Sequence, residues 1–306
     1  VTFDAAVVNP PRRGMSPLAR ELLARLEVPA ITYVSCDPDT LAREIPDLSL
    51  SHPWELTPDH GCELALACES AAMDVDPRIT NSEGAGVSSH RGLRAYGTSH
   101  GFLAAYPGTV HSISCAVLGS EGDAMERDYW YSTARDWRDL EDAASVGRRS
   151  GERAVRRLGA RKLSTMKVPV LYSPDVARGL VSHFIGAIRG GSQYRRASFL
   201  LDCAGQQVFP DWFALSERPH VPKALASAPF DHEGVATRDR ELVAGGVALG
   251  YVLSAYSARK LGLRTTGNAG GTHNLIVHGR GRDFDAMLAH MGKGLLVTEL
   301  MGQGVN

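Results

Sequence analysis

The sequence predicts an α+β fold, rich in antiparallel sheet with packed helices and preceded by a partial βαβ fragment of the Rossmann-like kind. Three patterns predict it. Residues 78–137 carry β-branched and aromatic runs broken by Gly, Pro or Asp about every ten residues, the spacing of an antiparallel meander. Residues 57–73, 140–158 and 175–188 place apolar or small side chains at helical intervals. Residues 3–35 read as strand, loop, helix, strand, the unit of a parallel sheet.

The N-terminal fragment opens on the apolar run Phe3-Asp4-Ala5-Ala6-Val7-Val8. Asn9-Pro10-Pro11 must end that strand, because proline cannot continue a central ladder. Leu18, Leu22, Leu23 and Leu26 share a helical face, and Ala30-Ile31-Thr32-Tyr33-Val34-Ser35 forms the second strand. Parallel strands need neighbours on both edges and cover on both faces. The alternation stops after Asp37, so residues 1–44 read as a piece of a larger α/β domain.

From residue 45 the pattern changes. Thr57 suits a helix N-cap and Pro58 the first helical position. Leu64, Ala65, Ala67, Cys68, Ala71 and Ala72 give that helix a small-residue apolar face. The meander strands are expected at 87–96, 101–106, 110–118 and 129–134, followed by a helix at 140–158 whose arginines make a solvated face. A second unit begins at Val168-Pro169-Val170-Leu171-Tyr172. Its helix spans 175–188 and ends at Gly190-Gly191. Mixed loop and strand fill 192–240, and a strand or hairpin follows at 243–256. The flexible loop Gly267-Asn268-Ala269-Gly270-Gly271 precedes a strand at 274–278, a helix at 284–290 and a short strand at 294–299. The expected domains are therefore 1–44, 45–165 and 166–306.

Composition narrows the function classes. Of 306 residues, 43% are hydrophobic and 22% charged, which is globular rather than disordered. Lys plus Arg is 33 against 34 Asp plus Glu, a net charge of −1 that gives no global footprint for nucleic acid or an anionic membrane. No run of about 18 apolar residues offers a membrane span. Val1-Thr2-Phe3-Asp4 has no basic region followed by an apolar stretch, so no secretory signal is expected from it. Five scattered cysteines (36, 62, 68, 115 and 203) fit free thiols in a reducing cytoplasm, and no C-x-x-C pair suggests a finger-type zinc cluster.

The chemistry-bearing residues fall into a few groups. Ser35-Cys36-Asp37-Pro38 and Asn9-Pro10-Pro11-Arg12 sit at the carboxyl ends of the first two strands, where ligands bind in open α/β sheets. A cysteine there is a nucleophile if its thiolate is favoured, and otherwise a buried strand-end residue. His90, His100 and His111 lie in neighbouring expected strands and so suggest a three-histidine metal site. They are unevenly placed and no carboxylate pattern accompanies them, so each reads first as a hydrogen-bonded structural histidine, as do His273 and His278. Val181-Ser182-His183-Phe184 carries one histidine without a partner four residues on, so it is not an H-E-x-x-H zinc face. No Gly-x-Ser-x-Gly elbow or P-loop is present.

Residues 1–44, through Asn9-Pro10-Pro11-Arg12-Arg13-Gly14 and Tyr33-Val34-Ser35-Cys36-Asp37-Pro38, resemble the C-terminal part of the RNA uracil-5 methyltransferases. The resemblance implies that Cys36 matches the cysteine that adds to C6 of uracil, with Asn9, Pro10, Pro11 and Arg12 beside the target base. It also implies an S-adenosylmethionine loop upstream and a general-base glutamate downstream, neither of which this stretch carries. Cys36 is thus expected to be a vestigial nucleophile, and S-adenosylmethionine a cofactor only on the alternative reading of the chain as a 23S rRNA or tRNA uracil-5 methyltransferase.

A second resemblance runs from about residue 45 to 306. Asp76-Pro77-Arg78-Ile79-Thr80-Asn81-Ser82-Glu83-Gly84, Gly97-Thr98-Ser99-His100-Gly101-Phe102, Ser257-Ala258-Arg259-Lys260-Leu261-Gly262 and Thr298-Glu299-Leu300-Met301-Gly302-Gln303-Gly304-Val305 resemble the PmbA (TldE) branch of the TldD/PmbA metalloprotease family, in family order. That family pairs a zinc subunit, TldD, with a PmbA subunit in a cytoplasmic heterodimer. The pair trims unfolded peptides, including microcin precursors, and carries the label of DNA gyrase modulator. In TldD a helix bears histidine, glutamate and histidine. The matching positions here are Ser182, His183 and Ala187. The resemblance therefore implies a non-catalytic subunit without a cofactor, zinc only in its TldD-like partner, and a peptide substrate. The remaining alternative is an autonomous metallopeptidase built on His90, His100 and His111.

Overall fold

A computed structural model describes residues 6–9, 31–32, 45–98 and 102–300. The N-terminal helix expected at 18–26 lies outside the described residues. Its flanking strands are present and parallel, as the βαβ pattern requires. β1 (Ala6–Asn9) pairs with β2 (Ile31–Thr32) through Ala6 and Ile31. The other edge of β1 runs parallel to the end of β3 (Ile79–Thr98), with Val7 opposite Tyr96 and Asn9 opposite Thr98. The five-stranded sheet has the order β2-β1-β3-β4-β5.

The meander is built from β3, β4 (Leu103–Glu121) and β5 (Ala124–Ala134), all antiparallel. The expected strands at 101–106 and 110–118 are one continuous strand, with Pro107 inside it. The reason lies in pairing. β5 joins β4 only from His111 onward, so the earlier part of β4 has an open edge. Thr109 donates its N–H across that edge to the Leu50 carbonyl (2.9 Å). Pro107 has the same parity, so its missing N–H falls on the open side and no ladder bond is lost.

Alternation along β4 sends Ile113, Cys115 and Val117 inward. They pack beneath α1 (Pro58–Met73) and α2 (Ala143–Arg157), against Cys68, Ala72, Val146 and Ala154. The Thr57 hydroxyl accepts the His60 N–H, as the N-cap reading expects. The two helices touch backbone to backbone. A Cβ added at Gly147 would lie 1.9 Å from the Cys68 carbonyl oxygen, and one at Gly151 would lie 2.6 Å from that of Ala72. The outer arginines of α2 are not simply solvated. Arg149 stacks on Trp130 of β5 at 3.7 Å, and Arg153 pairs with Asp128 (3.1 Å).

The C-terminal unit centres on α3 (Pro174–Ile188) and a four-stranded sheet of order β10-β7-β8-β9. β7 is Ala214–Glu217, β8 Arg240–Ala244, β9 Val247–Ala248 and β10 Leu275–His278. Phe184, Ile185 and Ile188 of α3 pack on Leu215, Leu242, Val243 and Val252. The stretch expected as strand or hairpin at 243–256 divides into the β8–β9 turn and the start of α5 (Ala255–Leu261), which the Ser254 and Ser257 capping box initiates. The short α4 (Gly190–Tyr194) precedes that region, and α6 (Phe284–Met291) follows it. β6 (Val170–Tyr172) pairs in parallel with β11 (Leu295–Val297).

Phe230 joins the two units. It is completely buried, with ring centroids 5.3 Å from Tyr106, 5.7 Å from Phe102 and 6.3 Å from Tyr96. A second tie is polar. Asp136, wholly buried at the end of the meander, accepts from Arg138 (2.9 Å) and from Lys223 of the C-terminal unit (2.7 Å). These two cations hold the Asp136 carboxyl well below the usual carboxylate range.

Candidate functional site

The helix positions singled out by sequence diverge in space. Ser182 and His183 face outward on α3, whereas Ala187 is 6% exposed and belongs to the buried side. The Ser182 hydroxyl donates to the Arg178 carbonyl one turn back (3.1 Å). The Ala187 carbonyl accepts from Gln193 Nε2 (2.7 Å) and from the Ser198 hydroxyl (2.8 Å). A methyl group and a back-bonded hydroxyl offer no zinc donor set.

The three-histidine site is corrected by register. His90 pairs with Val110 and His111 with Ser89, so the two imidazoles lie on opposite faces of the sheet. His90 is exposed. His111 is buried, with Nδ1 3.0 Å from the Ser89 hydroxyl and Nε2 2.9 Å from the His52 carbonyl oxygen. His111 is thus the satisfied structural histidine of the blander reading. His100 lies outside the described residues, as do Cys36, Pro10, Pro11 and Arg12. Asn9 is placed only as the last residue of β1. Among the described residues no group of three or more His, Cys, Asp or Glu side chains could hold a metal ion.

What the structure does assemble is a buried polar centre beside the glycine loop. Glu217 ends β7 with its side chain 2% exposed. Its Oε2 accepts from Arg240 Nε (2.8 Å). Its Oε1 accepts from Asn268 Nδ2 (2.7 Å) and the His273 N–H (2.7 Å), and lies 3.0 Å from His273 Nδ1. Burial pushes this carboxyl up, but His273 and Arg240 outweigh it and the net shift is downward. Asp231 is also buried and accepts three backbone N–H groups, from Glu233, Val235 and Ala269. It has no cation pair among the described residues, and burial pushes its carboxyl up.

The two carboxylates fasten opposite parts of one loop. Asp231 holds residue 269, while Glu217 holds 268 and 273. Gly267 (φ +72°) and Gly270 (φ +97°) supply conformations that a side chain would resist. At Gly270 a Cβ would also lie 2.5 Å from the His232 ring. The loop lines one wall of a cleft of about 220 Å³ between the meander and the C-terminal unit. Arg94 and Arg135 enter from the meander, and His232 and His273 from the C-terminal unit. Burial lowers the Arg135 pKa, and burial lowers that of His232 as well, with the nearby Arg94 charge adding to the effect.

Comparison with known proteins places the chain. Residues 51–158 match the profile of the PmbA/TldA metallopeptidase central domain, and residues 165–306 match that of the PmbA/TldA metallopeptidase C-terminal domain. The chain belongs to the PmbA/TldD metalloprotease family. It is 48% identical over 296 residues to the metalloprotease PmbA of Escherichia coli O157:H7, covering 94% of this chain and 65% of that protein. It is 49% identical over 271 residues to a PmbA homolog of Haemophilus influenzae, covering 88% of this chain and 60% of that protein. The chain thus spans somewhat under two thirds of these relatives. A Bacteroides thetaiotaomicron protein described as a candidate modulator of DNA gyrase superposes with a TM-score of 0.81 at 29% identity, over 88% of this chain and 62% of its own. TldE of Thermococcus kodakarensis shares the fold, with a TM-score of 0.69 at 21% identity, over 88% of this chain and 64% of its own.

The N-terminal resemblance is also matched. Residues 1–57 fit the profile of tRNA (uracil-5-)-methyltransferase. A tRNA/tmRNA (uracil-C(5))-methyltransferase of Stutzerimonas stutzeri is 45% identical over 54 residues, which is 18% of this chain and 14% of that enzyme. Ser182 and Ala187, the positions that the resemblance matches to the zinc-bearing helix, offer no donor set for the zinc that a metallopeptidase family implies. No described helix is long and apolar enough to cross a membrane.

Sequence reading missed Glu217, Arg240 and Asp231. The available signal was the acidic residue closing an apolar stretch in Phe213-Ala214-Leu215-Ser216-Glu217 and again in Phe230-Asp231. A carboxylate there must find partners if its strand is buried.

Proposed function

We propose that this chain is a PmbA-like, metal-free subunit that works with a TldD-like zinc protease subunit on peptide substrates in the cytoplasm. One observation carries the reading: the positions matching the family's zinc-bearing helix hold Ser182, with its hydroxyl turned back on the helix, the exposed His183, and Ala187 packed into the core. The chain's own residues therefore shape and position, while the partner supplies zinc and the hydrolytic step. In this reading residues 45–165 and 166–306 are the two family domains. Residues 1–44 are a methyltransferase-derived fragment in which Cys36, with Asn9, Pro10, Pro11 and Arg12, is vestigial.

Co-expression with a TldD-like subunit tests the proposal. The expected result is co-purification, peptide cleavage by the mixture alone, and no stoichiometric zinc in the isolated chain. About one zinc per isolated chain, or turnover without the partner, would contradict it. The methyltransferase alternative draws support from the match at residues 1–57. Calorimetric titration with S-adenosylmethionine decides it, since saturable binding would revive that activity.

A further inference from the structure

Among the described residues, the cleft between the meander and the C-terminal unit carries positive charge that no carboxylate pairs. Arg94 donates from Nη2 to the Asp231 carbonyl (3.2 Å) and sits over the Phe230 ring. Arg135 donates to three carbonyl oxygens, those of Ala224, Leu225 and Thr109. Among the described residues no carboxylate pairs with either guanidinium. Asp231 is the acidic side chain lining the cleft, and both its oxygens are taken up by backbone N–H groups. Glu217, behind the loop, is engaged by Arg240, Asn268 and His273. The His232 ring has no hydrogen-bond partner among the described residues. On the loop wall, the N–H groups of Gly270 and Thr272 likewise have no acceptor there.

Two guanidiniums, a neighbouring imidazole and free backbone N–H groups around one small space form an anion receptor. Tyr106 and Phe230 add an apolar wall next to the charges. At about 220 Å³ the cleft falls below the ~300 Å³ at which pockets begin to enclose a whole drug-sized ligand. It fits one end of an extended molecule. We propose that the cleft is a carboxylate-binding site that takes the C-terminal carboxylate of a peptide, with the terminal side chain against Tyr106 and Phe230. The peptide as the carboxylate's source rests on the function proposed above; the anion-binding character rests on the cleft alone.

Calorimetry on the 306-residue chain without a partner tests this with N-acetyl-Ala-Ala as the free acid, the same dipeptide as its C-terminal amide, and inorganic phosphate. The expected result is binding of the acid at least about tenfold tighter than the amide, weakening as salt is raised. Arg94→Gln is expected to weaken acid binding at least about fivefold and Arg94→Lys by less, with unliganded melting temperatures within about 2 °C of the parent. Equal affinity for acid and amide overturns the proposal. So does tighter binding of phosphate than of the acid, or an Arg94→Gln variant that melts and binds like the parent. If Arg94→Gln fails to fold, the acid-to-amide ratio on the unaltered chain decides. None of these readouts depends on zinc content or hydrolysis, so the non-catalytic assignment can fail while this site stands, and the reverse.

Discussion

Glu217→Gln is the sharpest probe of the buried centre. The substitution keeps the shape of the side chain and removes its charge. One oxygen can still accept from Asn268 and His273. The new amide NH₂ then faces Arg240 Nε, so a 2.8 Å ion pair becomes a donor against a donor. Arg240 is 21% exposed and keeps its Nη1 on the Tyr251 carbonyl (2.9 Å), but its Nη2 lacks a partner and its Nε has no second acceptor among the described residues. Removing one member of a buried pair costs about 3–5 kcal/mol. The partial exposure of Arg240 places the loss near the lower end, at about 3 kcal/mol. At about 2–4 °C per kcal/mol for a chain of this size, the melting temperature should fall by about 6–12 °C. Scanning calorimetry at pH 7 measures it. The effect has a sign in pH. The folded-state pKa of Glu217 is depressed, so its stabilisation is complete above the ordinary carboxylate range and is lost as pH falls from that range down through the lowered folded-state value. Asp231, raised by burial, contributes with the opposite sign in both proteins and cancels in the difference between parent and variant. That difference should shrink in acid. A melting temperature unchanged within about 2 °C at pH 7, or a difference that grows in acid, refutes the reasoning.

Three further outcomes are expected. Gly147→Ala should cost about 3 kcal/mol or more in chemical denaturation, because the new Cβ meets the Cys68 carbonyl at 1.9 Å. Gly179→Ala, in a helix with nothing within 4 Å of its Cβ, should instead stabilise by about 0.5–1 kcal/mol. On α3, Ala187→His should lower stability by about 3 kcal/mol, since an imidazole must enter a packed face, whereas Ser182→Ala should stay within about 0.5 kcal/mol. A zinc helix thus cannot be restored here by replacing two side chains alone, and zinc binding by the double variant Ser182→His/Ala187→His at parental stability would contradict that.

Local signals in the sequence located much of the fold. Thr57-Pro58 marked the start of α1 because capping and the fixed proline φ act within a few residues. The parallel relation of β1 and β2 followed from the strand–helix–strand order. Pro107 misled because proline excludes a strand only where its N–H would be needed, and open edges are set by neighbours about thirty residues away in β5 and by the loop carrying Leu50. The candidate site was less legible. Gly267-Asn268-Ala269-Gly270-Gly271 and His273 stood out, but the carboxylates that fix them come from residues 217 and 231. Nothing local links those positions. The same holds for His90 and His111, which are near in sequence space on adjacent strands yet separated by the thickness of a pleated sheet.

Phe230 has a mechanical consequence. A ring with no exposed surface, gripped by Tyr96, Phe102 and Tyr106 from across the boundary, acts as a rivet rather than a hinge pin. The tract between α2 and β6 could be cut by a protease and the halves should still migrate together until heat extracts the ring. Any opening of the cleft above it must then come from side chains and the glycine loop, not from domains swinging apart.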